Sequence, residues 1–151
     1  MERAVVLVVE DEVSVQAMLS AVLTFAGFAV RPARTVAEAL SILGTEHIDA
    51  MTLDVRLTDP EGLQQSGLTL LSYLRVTPEY VTLPVIIFTG ALSLSEAEFA
   101  IRHHAFVLYK PQPYSVIIER LKKIMPNVQR PNQVLPDNTR LSAMLPDAPA
   151  A

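Results

Sequence analysis

The sequence predicts a doubly wound α/β domain, in which five helices pack on the two faces of a five-stranded parallel sheet. Runs of apolar, β-branched residues alternate along the chain with segments of helical period, which is the pattern of repeated strand–helix–strand units. None of the strand segments alternates between polar and apolar residues, as expected for strands that are buried on both faces. With 151 residues, half of them hydrophobic, the chain has the size and composition of one globular domain.

The strands and the first two helices follow from apolar patterns and from the residues that end them. The predicted strands cover residues 4–9, 28–33, 50–53, 84–89 and 105–109. The first helix ends at Gly27, where a C-terminal cap belongs, and the second opens with Thr35 and Glu38 at capping-box spacing. The apolar stripes are Val15, Met18, Leu19, Val22 and Phe25 or Ala26 in the first helix, and Val36, Leu40 and Leu43 in the second.

The other three helices show the same kinds of signal. Ser66 and Gly67 precede the third helix, and Ser95 and Glu98 repeat the capping-box spacing at the fourth. Pro113 precedes the fifth. The apolar positions are Leu68, Leu71 and Leu74 in the third helix, Phe99 and Ile101 in the fourth, and Ile117, Leu121 and Ile124 in the fifth.

The domain is predicted to cover residues 1–125, followed by a tail at 126–151. The tail is rich in proline and shows neither a helical nor an alternating apolar period. It is too short to form a second domain, so we expect a flexible segment that is compatible with a linker.

Composition excludes several classes of function. The chain has no cysteine, which rules out disulfides, thiolate metal sites and thiol catalysis. Its formal charge is −4 and it has no block of basic residues, so we expect no direct nucleic-acid partner. No apolar run approaches the roughly 18 residues of a membrane span, and the run that begins at Val5 ends in acids, not in a cleavage site. We therefore expect a cytoplasmic protein without membrane contact.

Polar residues end or directly follow four of the five predicted strands. In an open parallel sheet, ligands bind outside the carboxyl ends of the strands, so these residues are the candidates for a site. Clustered carboxylates with an open side suit Mg²⁺, and a lysine and a hydroxyl suit phosphoryl oxygens. Taken alone, the acids after the first strand also fit a helix N-terminus, where negative charge is favourable. The residues are Glu10, Asp11, Glu12, Asp54, Thr89 and Lys110.

Four segments together resemble the receiver domain of two-component response regulators, a CheY-like family. They are VLVVEDE, Asp54 after MTL, IIFTG and LYKP, in the order and at the strand ends that the family shows. The resemblance covers about residues 4–125. It implies a flavodoxin-like fold, with the five strands in the order 2-1-3-4-5.

The resemblance also implies roles for residues at the strand ends. Asp54 resembles the phosphoacceptor, whose carboxylate attacks a phosphohistidine to form an acyl phosphate. Asp11 resembles the direct Mg²⁺ ligand, and Glu10 stands where the family reaches the ion through water, usually with Asp. Asp54 and the backbone carbonyl of Arg56 would complete the protein ligands. Thr89 resembles the hydroxyl that binds the arriving phosphoryl group, and Lys110 its cationic partner.

The switch position of the family is altered in this chain. The residue three before the lysine is usually Tyr or Phe, and here it is Val107. Tyr109 is nearby, whereas Phe106 is expected on the opposite face of the strand. The hypothesis that follows is signalling through shifts of loops and of the fourth helix, without rotation of an aromatic ring.

The segment after the phosphoacceptor is longer than in the family. Residues 55–66 form a predicted long loop, and Thr58 stands where the family commonly has proline. Gly67 matches the usual glycine but comes about five residues late, whereas Glu61 and Gly62 keep the usual acid-glycine spacing. The insertion could therefore lie on either side of Gly62. Loops of this length are usually functional or mobile.

The leading hypothesis is a phospho-accepting receiver that is not a conventional enzyme, although it assists its own phosphorylation and dephosphorylation. Its donor would be a histidine kinase or a histidine phosphotransfer protein, and its output partner is unknown. One alternative is a receiver-like interaction module that works without phosphate, against which the complete set of Asp11, Asp54, Thr89 and Lys110 argues. A phosphatase of the haloacid dehalogenase type ranks last, because Arg56 stands where that family has a second Asp.

Overall fold

The computed structural model describes residues 3–125. Its strands are β1 Val5–Val9, β2 Ala29–Ala33, β3 Ala50–Leu53, β4 Arg56–Thr58, β5 Gln64–Ser66, β6 Val85–Thr89 and β7 Ala105–Tyr109. Its helices are α1 Val13–Phe25, α2 Val36–Thr45, α3 Gly67–Val76, α4 Leu94–Arg102 and α5 Tyr114–Ile124. Five parallel strands form the main sheet in the order β2-β1-β3-β6-β7. The predicted sheet and its order are therefore confirmed.

The main sheet separates two apolar clusters. Helices α2, α3 and α4 cover one face, where Leu43 and Leu71 pack with Val9 and other strand residues. Helices α1 and α5 cover the opposite face, where Leu19 and Ile117 belong to the second cluster. The central strands β1, β3 and β6 are thus buried on both faces, which explains why their segments do not alternate between polar and apolar residues.

Three of the predicted helix ends are confirmed by their hydrogen bonds or backbone angles. The side chain of Thr35 accepts a hydrogen bond from the N–H of Glu38 at the start of α2. Ser66 accepts one in the same way from the N–H of Leu68 in α3. Gly27, just beyond α1, has a φ of +103°, which a residue with a side chain rarely adopts.

The capping box of α4 lies two residues earlier than predicted. Ser93, not Ser95, is the N-cap: its side chain accepts from the N–H of Glu96, and the Glu96 carboxylate accepts from the N–H of Ser93. Ser95 and Glu98 have the same spacing but lie inside the helix, which begins at Leu94. Sequence spacing cannot distinguish the two pairs, because the distinction depends on where the chain leaves β6.

The predicted long loop contains a short antiparallel hairpin, β4–β5. Leu57 lies opposite Gln65 and is 1% exposed, packed in the cluster beneath α2, α3 and α4. The Asp59 carboxylate accepts a hydrogen bond from the N–H of Leu63 in the turn, and Gly62 has a φ of +88°. The strand prediction missed this hairpin because each strand has three residues and Leu57 is their only apolar side chain.

Gly67 joins the hairpin to α3 and lies against the backbone of the predicted phosphoacceptor. A Cβ at this position would lie 2.2 Å from the carbonyl oxygen of Asp54. The N–H of Gly67 donates to the carbonyl of Val55 at 2.8 Å. Gly67 follows β5 directly, whereas Gly62 belongs to the turn of the hairpin.

The predicted tail, residues 126–151, lies outside the described residues. Within residues 3–125, no helix is long and apolar enough to span a membrane.

Substitution of Gly67 by alanine should destabilise the domain by about 1–3 kcal/mol, because the added methyl group would collide with the Asp54 carbonyl and force the backbone to move. Gly44→Ala is the matched control, because a Cβ at this position in α2 would have no heavy atom of another element within 4 Å. Alanine should stabilise that helix by up to about 1 kcal/mol. Urea unfolding of both variants tests the difference; equal effects at the two glycines would contradict the close approach.

Candidate functional site

Backbone hydrogen bonds bring the ends of neighbouring strands level at one edge of the sheet. The N–H of Glu10 donates to the carbonyl of Ala33, and the N–H of Asp54 donates to that of Val9, both at 3.0 Å. The N–H of Lys110 donates to the carbonyl of Thr89 at 2.7 Å. The first residue after each strand is therefore placed beside the end of the next strand, as the sequence predicts.

Three carboxylates meet at this edge. Glu10, Asp11 and Asp54 each offer an oxygen atom, and these atoms lie within 4.8 Å of one another. Glu10 is 3% exposed and Asp54 is 7% exposed, whereas Asp11 is half-buried. Glu12, the third acid of the run, is exposed and is not part of this cluster in the described region. Glu10, Asp11 and Asp54 are termed the acid cluster below.

Lys110 joins two members of the acid cluster. Its ammonium group donates to Glu10 Oε1 at 2.6 Å and to Asp54 Oδ2 at 2.9 Å. The Nζ atom also lies 5.5 Å from the centre of the Phe88 ring, within the range of a cation–π contact. The predicted convergence of this lysine on the carboxylates is thus present.

Burial and charge shift the protonation of this group of residues. Burial raises the pKa of Glu10 from its ordinary 4.5 to about 7. Hydrogen bonding to Lys110 lowers this pKa and offsets the rise only in part, while the negative charge of Asp54 raises it further. Partial burial works to lower the pKa of Lys110, but its hydrogen bonds and attraction to Glu10 and Asp54 outweigh this and raise it. The lysine therefore stays charged at neutral pH.

Thr89 ends β6, the strand between β3 and β7. It is fully buried, and within residues 3–125 its Oγ1 atom has no hydrogen-bond partner. A buried hydroxyl without a partner is costly. Thr89 and Asp54 stand at the same edge of the sheet, at the ends of the neighbouring strands β6 and β3.

Arg56 lies two residues after Asp54, and its backbone and side chain have different partners. The N–H of Arg56 donates to Asp54 Oδ1 at 3.3 Å. Its guanidinium group binds both carboxylate oxygens of Glu96 in α4, at 2.6 and 2.7 Å. Hydrogen bonding to Arg56 lowers the pKa of Glu96 to about 2. The predicted use of the Arg56 carbonyl as a metal ligand stays a prediction.

The two candidate switch positions lie on β7, outside the acid cluster. Val107 packs against the cluster beneath α2, α3 and α4, whereas Phe106 packs on the opposite face, as predicted. Tyr109 is 43% exposed. Neither residue has a hydrogen bond or an ion pair with the acid cluster in the described region.

Sequence reasoning missed the contacts of three residues that build or support the site. Gln16 donates from its side chain to the carbonyls of Glu10 and Ala33, which fixes the end of β1 beside β2. Glu96 pairs with Arg56, and its place in a second capping-box spacing was the available signal. The N–H of Thr58 donates to Asp11 Oδ2 at 2.8 Å. No side-chain pattern reports a backbone contact of this kind.

The residues at this edge suit a hard divalent cation. Three carboxylates supply oxygen ligands, and the half-buried Asp11 leaves the cluster open to water on one side. Mg²⁺ prefers such ligands and shares its coordination with phosphate oxygens. The acid cluster therefore fits the ion that the sequence predicts.

Comparisons with known proteins agree with this geometry. The family described as "Response regulator receiver domain" matches residues 6–122. The chain is 31% identical over 156 residues to the DNA-binding transcriptional regulator NtrC of Proteus hauseri, in an alignment that covers 99% of this chain and 31% of that protein. The chain thus spans about a third of the length of this curated relative.

Solved structures have the same fold. A response regulator receiver protein from Pseudomonas putida superposes with a TM-score of 0.73 at 27% identity, over 82% of this chain and 98% of that one. A CheY-like receiver domain protein from Methanospirillum hungatei JF-1 has a TM-score of 0.72 at 24% identity, over 80% and 92%. The second likeness shows the fold alone.

Glu10 should make the metal-free protein less stable as the pH rises. Its pKa of about 7 in the fold exceeds the ordinary 4.5, so the stabilisation from its protonated form is complete below pH 4.5 and is lost as the pH rises through 7. The loss is at most about 3 to 4 kcal/mol, because one pKa unit corresponds to about 1.4 kcal/mol.

Urea unfolding with EDTA at pH 5 and pH 8 measures this effect. Glu10→Gln should flatten the dependence on pH, whereas Glu12→Gln, at an exposed position outside the acid cluster, should leave it unchanged. An identical dependence in wild type and Glu10→Gln would contradict the raised pKa.

Proposed function

The chain belongs to the response regulator receiver family, and we propose that it accepts a phosphoryl group from a phosphohistidine onto Asp54 and thereby changes its binding to a partner. The observation that supports this most directly is the placement of Asp54. It is buried beside two further carboxylates, and one of its oxygens binds the Lys110 ammonium group. An aspartate in this setting can act as a nucleophile while the lysine binds a phosphoryl oxygen.

In the proposed reaction, an Asp54 carboxylate oxygen attacks the phosphorus atom of the phosphohistidine. The bond from phosphorus to the imidazole nitrogen breaks, its electron pair stays on the imidazole, and an acyl phosphate forms on Asp54. Glu10, Asp11, Asp54 and the carbonyl of Arg56 would hold Mg²⁺, which supplies positive charge against the phosphoryl oxygens when bound. Lys110 adds a second positive charge, and Thr89 offers its unpartnered hydroxyl.

Within this proposal the chain is not a conventional enzyme, since it modifies its own side chain. The phosphoryl donor is a histidine kinase or a histidine phosphotransfer protein, and both meet the chain in the cytoplasm. The NtrC relative is named as DNA-binding, but this chain spans about a third of it. Direct contact with nucleic acid is therefore not part of the proposal, and the output partner is a protein.

We further propose that phosphorylation of Asp54 changes the position of α4 through the contact between Arg56 and Glu96. The Arg56 guanidinium holds Glu96 with two hydrogen bonds, and Glu96 also closes the capping box at the start of α4. A phosphoryl group on Asp54 brings strong acceptors for a guanidinium near Arg56. This link supports signalling through α4 without the rotation of an aromatic ring. The switch position is Val107, which has no ring to rotate.

Incubation with acetyl phosphate and magnesium should add the mass of one phosphoryl group to the intact protein. EDTA should prevent the gain, because Mg²⁺ supplies charge neutralisation, and Asp54→Ala should abolish it. Glu12→Gln should retain it, because Glu12 lies outside the acid cluster. No gain in wild type, even with candidate kinases, would favour the interaction module that works without phosphate.

Glu96→Gln should uncouple α4 from the site while changing stability by less than about 1 kcal/mol, since the Arg56 side chain is exposed and glutamine can still accept the capping hydrogen bond from Ser93. In amide NMR spectra, a beryllofluoride phosphoryl mimic with magnesium should shift the α4 resonances of wild type and of the control Glu98→Gln, an exposed position on the same helix. These shifts should be largely lost in Glu96→Gln. Equal shifts in both variants, or an inward swing of the Tyr109 ring, would contradict the proposed route.

A further inference from the structure

One edge of the inserted hairpin is free to bind groups outside it. Residues on facing antiparallel strands alternate between pairs that exchange backbone hydrogen bonds and pairs that do not. The N–H of Asp59 donates to the carbonyl of Leu63, and the N–H of Gly67 donates to that of Val55, which marks the hydrogen-bonded pairs. In this alternation, Arg56 and Thr58 belong to the pairs that do not exchange hydrogen bonds. Their backbone N–H and C=O groups therefore point away from β5.

This free edge of β4 faces the acid cluster. The N–H of Thr58 donates to Asp11 Oδ2 at 2.8 Å, across 47 positions of sequence. The N–H of Arg56 lies 3.3 Å from Asp54 Oδ1. In a strand, the N–H and C=O of one residue point to the same side. The Arg56 carbonyl therefore leaves β4 along the same edge as these two donors.

Asp11 differs from its neighbours in how it is held. Lys110 binds both Glu10 and Asp54. Within residues 3–125, the Thr58 amide is the hydrogen-bond donor to the Asp11 carboxylate, and Lys110 does not reach it. Asp11 is also the least buried of the three acids. Its orientation thus depends on the hairpin.

We propose that the Thr58 amide is a positioning group for the cation site: it holds one oxygen of Asp11 and leaves the other free for the ion. This inference rests on the proposed function, since it concerns the same metal site. The residue is Thr where the family commonly has proline, which has no N–H to donate. The inserted hairpin thereby gives this chain an orienting contact that a proline at this position cannot provide.

Thr58→Pro and Thr58→Ala separate the backbone donor from the side chain. Proline removes only an N–H that points away from the hairpin ladder, so it suits this edge position. Alanine keeps the N–H. Calorimetric titration with MgCl₂ should show about tenfold or weaker affinity in Thr58→Pro, since loss of a group that orients a metal ligand costs about 10-fold to 100-fold. Affinity in Thr58→Ala should equal that of wild type.

A second measurement remains decisive if Thr58→Pro fails to fold. Amide hydrogen exchange in EDTA should be about tenfold faster at Thr58 in Asp11→Ala than in wild type, because a hydrogen bond to a charged acceptor is lost. Glu12→Ala should leave this rate unchanged. Unchanged exchange at Thr58 in Asp11→Ala would overturn the contact itself.

The titration distinguishes this inference from the proposed function, because it uses no phosphoryl donor. Equal affinities in wild type and Thr58→Pro would overturn the positioning role, as would equal losses in the two Thr58 variants or a wild type that binds no Mg²⁺. The expected order of affinities in a protein that acetyl phosphate does not modify would support the positioning role and contradict only the proposed phosphorylation.

Discussion

Compensation of negative charge at one edge of the sheet is the constraint on which the site depends. Three carboxylates with oxygens within 4.8 Å of one another repel, and their burial strengthens the repulsion. Lys110 offsets it at Glu10 and Asp54, and backbone N–H groups of β4 act on Asp11 and Asp54. A divalent cation would bind the same carboxylates. The lysine, the backbone of the hairpin and the ion would therefore all interact with the oxygens of Glu10, Asp11 and Asp54.

The position of this site is a consequence of how the sheet is buried. Helices cover both faces, so the strands of the main sheet are mostly apolar. Apart from Arg31 in β2 and Thr52 in β3, their polar residues stand at or directly after the ends of the strands. Because backbone hydrogen bonds join the N–H of Glu10, Asp54 and Lys110 to the end of a neighbouring strand, these residues emerge level with one another. Neighbouring strand ends thus become one site.

The sequence alone predicted the parts whose signal is continuous along the chain. An apolar run followed by a polar residue marks both the strand and the site residue, as at Asp54 and Lys110, and the strand ends agree within one residue. The capping box at Ser93 was missed because a neighbouring pair has the same spacing. The hairpin was missed because its strands are short and mostly polar. The donor at Thr58 is a backbone N–H, and its hydrogen bond to Asp11 cannot be predicted from the type of residue at this position.

The three residues of β4 show why a short strand can connect several parts of the site. In a strand, backbone groups point sideways, and successive side chains point to opposite faces. The backbone of β4 therefore reaches the acid cluster, while Leu57 anchors the strand in the apolar cluster and Arg56 projects the other way to Glu96. A displacement of β4 would have to move the contact to Asp11 and the contact to α4 together. The hairpin thus contacts both the acid cluster and α4, which is the physical basis of the proposed route between them.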